Sequence, residues 1–60
     1  MTDKAIAFYN NIIDNYTETC KKEKTETDKI MRAVWTDKRR QIERVFQKIY
    51  EKPIDKSLKV

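Results

Sequence analysis

The apolar residues in the second half of this chain recur at the spacing of one face of an α-helix. A helix advances about 100° per residue, so side chains three and four residues apart share a face. The resulting apolar stripe consists of Met31, Val34, Trp35, Ile42, Val45, Phe46 and Ile49. This pattern predicts a helix over about 27–51. It ends before Pro53, because a proline disfavours helical geometry in the residue that precedes it.

A lysine lies in the middle of this predicted stripe. Lys38 projects within about 20° of Met31 on the helical wheel. A charged residue within an apolar seam often specifies a partner or a register. Two interpretations stay open. Either the aliphatic stem of Lys38 covers apolar surface while its ammonium reaches water, or the ammonium pairs with an acid, such as Asp14 of the first helix or a residue of a partner.

The first half of the chain shows a heptad pattern. Its apolar seam, with alternating steps of three and four residues, is Ile6, Tyr9, Ile13, Tyr16 and Cys20. We place this helix at about 2–22, with Thr2 as its N-cap. Ala5, Phe8 and Ile12 widen the apolar face to about 160°. Because one neighbour needs only about 100°, the width predicts two packing partners, one of which can come from another chain.

Between the two patterns lies a segment without apolar side chains. Residues 21–29 read Lys-Lys-Glu-Lys-Thr-Glu-Thr-Asp-Lys, and their charges suit the end of one helix followed by the start of another. We predict a connector at about 21–27, with Thr25 or Thr27 as the next N-cap and Asp28 as a capping-box-like partner. The absence of glycine leaves one continuous helix of about fifty residues as the alternative.

These elements predict an all-α protein: a hairpin of two long antiparallel helices with a short C-terminal tail at 53–60. Sixty residues make a single domain, 1–60, and a lone monomer of that size is marginal in stability. The wide face of the first helix would leave Phe8 and Ile12 exposed, so we expect the hairpin to dimerise into a four-helix bundle. In the tail, Ile54 and Leu58 either fold back as a short turn or extend into solvent.

The composition argues against catalysis. The chain has no histidine and no glycine, which removes the commonest general base and metal ligand as well as the glycine-rich phosphate loops. We therefore expect no enzyme activity, no catalytic or metal-binding residue, no cofactor and no small-molecule substrate. Cys20, the single cysteine, lies on the seam of the first helix and is interpreted as a buried apolar side chain rather than a reactive thiol.

The sequence also predicts the cellular compartment of the protein. Asp3 and Asp14 interrupt any apolar run near the N-terminus, and no signal-peptide cleavage pattern follows them. No stretch approaches the roughly 18 apolar residues of a membrane span. A single cysteine fits a reducing compartment. We expect a soluble, cytoplasmic protein with no membrane partner.

The charge is unevenly distributed along the chain. Residues 1–20 carry a net charge of −2 and residues 21–60 carry +6, which sum to +4. Such a basic half indicates either an anionic partner or an acidic helix packed against a basic one.

Arg40, Arg44 and Lys48 form an i, i+4, i+8 ladder on the face opposite the apolar stripe. A break of the second helix at Thr36 would turn this region into a helix-turn-helix arrangement.

By elimination, the function is binding. The first hypothesis is a small protein-binding regulator or adaptor that acts through a helical face, for instance as a modulator or inhibitor of a host or cellular factor. Its candidate contact residues are Phe8, Ile12, Trp35, Lys38 and Arg39. The partner would be another protein, a second copy of the chain, or both.

The alternative hypothesis is a small basic nucleic-acid-binding protein of the transcription-regulator type. Its candidate residues are Arg39, Arg40, Arg44 and Lys48. A third possibility is a structural piece of a larger assembly that folds only beside its neighbours.

Overall fold

The computed structural model describes residues 2–58, which form the predicted α-helical hairpin. Helix α1 spans Asp3–Thr25, helix α2 spans Lys29–Tyr50, and a short 3-10 turn follows at Lys56–Leu58. The two helices are joined by residues 26–28. The predicted domain, 1–60, and the predicted tail, 53–60, include residues 1, 59 and 60, which lie outside the described residues.

Helix α1 begins where the sequence predicts. The hydroxyl oxygen of Thr2 accepts a hydrogen bond from the Ala5 backbone N–H at 3.2 Å, which confirms Thr2 as the N-cap. The helix ends three residues later than the predicted end at 22, since neither glycine nor proline interrupts it before Thr25. Lys22 and Lys24 lie in its last turn, where cations complement the unpaired carbonyl groups. The connector is consequently shorter than the predicted 21–27.

The N-cap of α2 is Asp28, so the prediction of Thr25 or Thr27 is wrong. One carboxylate oxygen of Asp28 accepts hydrogen bonds from the backbone N–H groups of Ile30 and Met31, at 2.8 and 3.1 Å. A carboxylate in this position also complements the positive end of the helix dipole, which a threonine hydroxyl does not. The hydroxyl of Thr25 instead donates to a carbonyl within α1.

The connector separates the helices, so the alternative of one continuous helix is wrong. The guanidinium of Arg32 donates to the Glu26 carbonyl from Nε at 3.2 Å and from Nη2 at 2.9 Å, which ties the connector to the first turn of α2. From there α2 is uninterrupted through Thr36. The helix-turn-helix alternative is therefore wrong as well.

Helix α2 ends at Tyr50, ahead of Pro53 as predicted. Glu51 adopts the left-handed conformation, with φ 56° and ψ 32°, and its N–H donates to the Gln47 carbonyl at 2.9 Å. For a residue other than glycine this conformation costs about 1–2 kcal/mol. It reverses the chain and directs the tail back toward α1.

The hydrophobic core is small and lies near the open end of the hairpin. Tyr9, Ile13 and Phe46 are buried, with Phe46 fully enclosed. The rings of Tyr9, Phe46 and Tyr50 pack against one another, with centroids 4.6–5.7 Å apart, at the range favourable for aromatic pairs. The rings join both helices at this point.

The tail folds back onto the core, which is the first of the two predicted alternatives. Ile54 and Leu58 pack against the buried cluster, and the 3-10 turn contacts α1. Asp55 fixes the turn by accepting hydrogen bonds from the N–H and the hydroxyl of Ser57, at 2.9 and 3.0 Å. The wide apolar face of α1 therefore has two packing partners, α2 and the tail, both from the same chain.

The hairpin is elongated. Its extents are 40 × 18 × 17 Å, close to the length of the helices themselves. Within residues 2–58, neither helix contains a stretch apolar enough to cross a bilayer.

Candidate protein-binding face

The apolar stripe of α2 is only partly covered by the rest of the hairpin. Phe46 is fully buried, and Trp35 and Ile42, within about 40° of it on the helical wheel, are half-buried. The rest of the stripe centres roughly 80° to one side of Phe46 and is left in solvent. Its exposed fractions are Met31 41%, Val34 48%, Val45 47% and Ile49 49%. This flank is uncovered within the hairpin, because the stripe is wider than its contact with α1.

Helix α1 extends this uncovered surface. Phe8 is 52% exposed, and Ile12 follows one turn later on the same side of α1. We refer to the combined surface as the apolar face and define it by Met31, Val34, Lys38, Val45 and Ile49 of α2 with Phe8 and Ile12 of α1. A molecule of this size with so many half-exposed apolar side chains on one flank has a surface suited to association.

A groove runs between the two helices on the apolar face. Its volume is about 330 Å³, and its lining residues are Ile12, Asn15, Lys38, Gln41, Ile42 and Val45. The groove brings together Ile12 and Lys38, two residues that the sequence predicts as partner contacts. Its polar lining consists of one ammonium and two amide side chains.

Lys38 lies at the centre of the apolar face and is exposed. Its ammonium is 5.6 Å from the centroid of the Trp35 ring, within the range of a cation–π contact. This placement supports the interpretation in which the stem covers apolar surface and the charge stays in water. Pairing of Lys38 with Asp14 or with an acid of a partner stays a prediction.

Trp35 lies beneath this surface rather than on it. Its ring is half-buried, and the ammonium of Lys22 from α1 lies 4.8 Å from the ring centroid. The indole Nε1 is buried without a hydrogen-bond partner among the described residues. An unpaired buried donor costs about 1–3 kcal/mol. Trp35 thus joins the two helices, at a position where its N–H is not satisfied within the hairpin.

Arg39 is the centre of a polar network that joins the two helices. Its Nε donates to the Glu23 carboxylate of α1 at 2.9 Å, and its Nη1 donates to Glu43 at 3.0 Å. The hydroxyl of Thr36 donates to Glu23, and the hydroxyl of Tyr16 donates to Glu43 at 2.9 Å. We refer to Tyr16, Glu23, Thr36, Arg39 and Glu43 as the polar network.

Contacts within the polar network shift the pKa values of its ionisable groups. Hydrogen bonds from Thr36 and then Arg39 lower the pKa of Glu23, and the hydrogen bond to Glu23 raises the pKa of Arg39. Partial burial, followed by the hydrogen bond to Glu43, raises the pKa of the Tyr16 hydroxyl well above its ordinary value. Each shift favours the protonation state in which the network is complete at neutral pH.

The sequence indicates Arg39 as a contact residue and Glu43 as an ion-pair partner of the basic residues, but it does not reveal the pairing of Arg39 with Glu23. The Arg39 side chain is only 25% exposed, and two carboxylates occupy its donors. Glu43 has a sequence signal, because it lies four residues after Arg39 on one helix. Glu23 has none, since it falls within the segment predicted as a connector and its pairing crosses between helices.

The basic ladder lies on the other flank of α2. Arg40 and Arg44 line a cleft of about 800 Å³ that the returning tail closes with Pro53 and Ile54, beside the carboxylates of Asp37 and Glu43. Among residues 2–58, Arg40, Arg44 and Lys48 form no ion pair within 4.0 Å. Three of the four predicted nucleic-acid contacts thus remain exposed to solvent, and the fourth, Arg39, is in the polar network.

No protein-family model, curated protein or solved structure matches this chain. Within residues 2–58, no three potential ligands come together in a way that could hold a metal ion. A helical hairpin is shared by many unrelated proteins, so the fold alone assigns no function. The apolar face and the basic ladder are the surfaces from which a function can be argued.

Proposed function

We propose that this chain is a small non-enzymatic regulator or adaptor that binds another protein through the apolar face. The proposal rests on one observation: the apolar surface of the hairpin is covered by the tail on one side and left exposed on the other. The tail covers one side of α1, whereas the apolar face keeps five large apolar side chains about half exposed. Completing their burial would contribute roughly 1 kcal/mol for each side chain.

Phe8, Ile12 and Lys38 make direct contacts in this proposal. Trp35 and Arg39, the other two candidates from the sequence, lie within the hairpin and position α2 against α1. A protein of this kind would modulate or inhibit a host or cellular factor by occupying the surface that the factor uses for another helix. We place this activity in the cytoplasm, where Cys20 would stay reduced.

A second copy of the chain is the alternative occupant of the apolar face. Two hairpins that paired through this face would close the four-helix bundle that the sequence predicts. In that case the apolar face would be consumed by self-association, and another protein would have to bind elsewhere.

Site-specific photocrosslinking tests the proposal. A photoreactive amino acid replaces Val45 on the apolar face, and the matched control carries it at the exposed Arg40, about 140° from Val45 around α2. We expect the Val45 probe to form a crosslink to a protein other than the chain itself, identified by mass spectrometry. Val34→Asp in the same chain should abolish this crosslink, because it places a charge on the apolar face.

Comparison with the control position shows which result would contradict the proposal. Equal crosslinking from Val45 and Arg40, or crosslinks that survive Val34→Asp, would show contact without use of the apolar face and would contradict the proposal. Circular dichroism of each variant verifies that the helices are retained. Val34 and Val45 are about half exposed, so these substitutions leave the buried core in place.

A second candidate function is nucleic-acid binding through the basic ladder. The observation in its favour is that Arg40, Arg44 and Lys48 have no ion-pair partner within 4.0 Å among residues 2–58. Phosphate contacts of this type give affinity that falls steeply as salt increases. Binding to duplex or single-stranded DNA that is salt-dependent and lost in Arg40→Glu/Arg44→Glu would support this function. Binding that is absent or insensitive to salt would exclude it.

A further inference from the structure

We infer that the apolar face takes an amphipathic helix that carries an aspartate or glutamate among its apolar side chains. This inference rests on the proposed function and names the class of partner. It follows from three features of the apolar face: its length, the groove between the helices, and the sign of the charge within that groove.

The dimensions of the apolar face suit a helix. From Met31 to Ile49 the face extends about 27 Å along α2, at 1.5 Å per residue, which matches a partner helix of about 18 residues. The groove lies between α1 and α2, with Ile12 on one side and Val45 on the other. An apolar ridge of the partner, with residues at i, i+3, i+4 and i+7, can follow such a groove.

The charge within the groove is of one sign. Among residues 2–58, Lys38 is the only ionisable residue that lines the groove, and the other polar lining residues are the amides of Asn15 and Gln41. The Lys22 ammonium adds a second positive charge beside Trp35. A helix docked here removes water from Lys38, and an ammonium without water or an anion is unfavourable. A carboxylate on the partner, flanked by apolar side chains, supplies the missing anion.

The positive charge of Lys38 also disfavours the binding of a second copy of the chain at the apolar face. A symmetric dimer uses the same surface patch on both subunits. Lys38 lies close to the middle of the stretch from Met31 to Ile49, so a twofold axis through this stretch brings the two ammonium groups near each other. Within residues 2–58, the lining of the opposing groove includes no carboxylate that could pair with either lysine. Self-pairing would therefore bury two positive charges without a counterion.

The test uses helical peptides as defined probes. Three stapled peptides of about 18 residues share one leucine ridge and differ only at its central position, which is glutamate, glutamine or lysine. Isothermal titration calorimetry measures the affinity of each for the full chain. We expect the glutamate peptide to bind about 10-fold more tightly than the glutamine peptide, and the lysine peptide to bind most weakly.

A charge reversal on the protein provides the decisive comparison. Lys38→Glu should reverse the order, so that the lysine peptide binds most tightly, and Lys38→Met should remove the preference. Arg40→Glu, the same charge change about 160° from Lys38 around α2, is the matched control and should leave the order unchanged. Lys38 is exposed, so these substitutions do not disturb the core.

Each other outcome overturns the inference. Equal binding of the three peptides, lost in Val45→Asp, would show an apolar face without charge selectivity; the proposed function would stand and the partner class would be wrong. Binding that survives Val45→Asp would place the site elsewhere and contradict both. Absence of peptide binding together with a Val45-dependent dimer would identify a second copy as the occupant.

Discussion

At the scale of single residues, Arg39 shows how far burial alters the meaning of a charged position. On the sequence it belongs to a run of basic residues, together with Lys38 and Arg40. In the structure the three neighbours have different surroundings: Lys38 lies on the apolar face, Arg39 lies in the polar network, and Arg40 lines the cleft with the tail. The angle of about 100° between neighbours on a helix separates their roles.

The polar network makes stability depend on pH through Glu23. Its pKa is lower in the folded protein than the 4.5 of an unperturbed glutamate. A carboxyl of this kind contributes stability above its unfolded pKa and loses that contribution as the pH falls through its folded pKa. We therefore expect the free energy of unfolding of the native sequence to fall below about pH 4.5 more steeply than that of Glu23→Gln.

Urea denaturation followed by circular dichroism between pH 7 and pH 3 measures this difference. Asp55, whose pKa is also lowered, is present in both proteins, so its contribution cancels in the comparison. Glu18→Gln, which changes an exposed glutamate of α1 outside the network, is the control and should follow the native curve. Parallel curves for the native sequence and Glu23→Gln would show that ionisation of Glu23 makes no pH-dependent contribution to stability.

At the scale of elements, the features that could be predicted from the sequence are those set by neighbouring residues. The spacing of apolar residues predicted both helices, Thr2 predicted the start of α1, and Pro53 predicted where α2 must end. Of the two N-caps, that of α2 was predicted wrongly, because three candidate residues occur within residues 25–28. The choice among them depends on which side chain reaches two N–H groups at once.

Substitution at the two candidate caps distinguishes them. Asp28→Ala removes the acceptor for two backbone N–H groups of α2 and should cost about 1 kcal/mol, which lowers Tm by about 4–8 °C for a domain of this size. Thr27→Ala, one position earlier, should change Tm little, because Thr27 is exposed and is not the cap. Thermal unfolding followed at 222 nm measures both. A larger loss from Thr27→Ala would contradict the assignment of Asp28.

The tail is an element that the sequence left open. Two apolar residues at i, i+4 spacing fit either a short turn or an extended segment. The sequence does not distinguish these alternatives, because the outcome depends on whether the hairpin offers apolar surface for the tail to cover. Ile54→Ala should destabilise the protein by about 1–2 kcal/mol, below the range for a fully buried isoleucine, because Ile54 is half-buried against the core. Lys56→Ala, at an exposed position of the same tail, should change stability by less than about 0.5 kcal/mol. Equal effects would indicate that the tail does not pack.

At the scale of the whole molecule, the candidate site depends on how α2 is rotated against α1. A helical wheel gives the angles between residues on α2, but it does not say which angle meets α1. Pairing across the hairpin, between Glu23 and Arg39, and ring packing around Phe46 set that rotation. As a result Phe8, Ile12 and Lys38 share the apolar face, whereas Trp35 and Arg39 turn inward.

The two flanks of α2 consequently differ in character. One flank is apolar with a central ammonium, and the other carries the basic ladder beside the tail. A partner that recognises the first flank needs apolar contacts and an anion, whereas a partner of the second needs negative charge alone. The net charge of +4 favours acidic partners at either surface and disfavours association of the chain with itself.

We expect the apolar face to be open to another protein and not to be closed by a second copy of the chain. Light scattering over a hundredfold range of protein concentration tests it most directly, with Val45→Asp as the comparison. We expect the monomer mass, 7.3 kDa, at every concentration and for both proteins. A mass that rises to twice this value with concentration, and returns to the monomer in Val45→Asp, would contradict it.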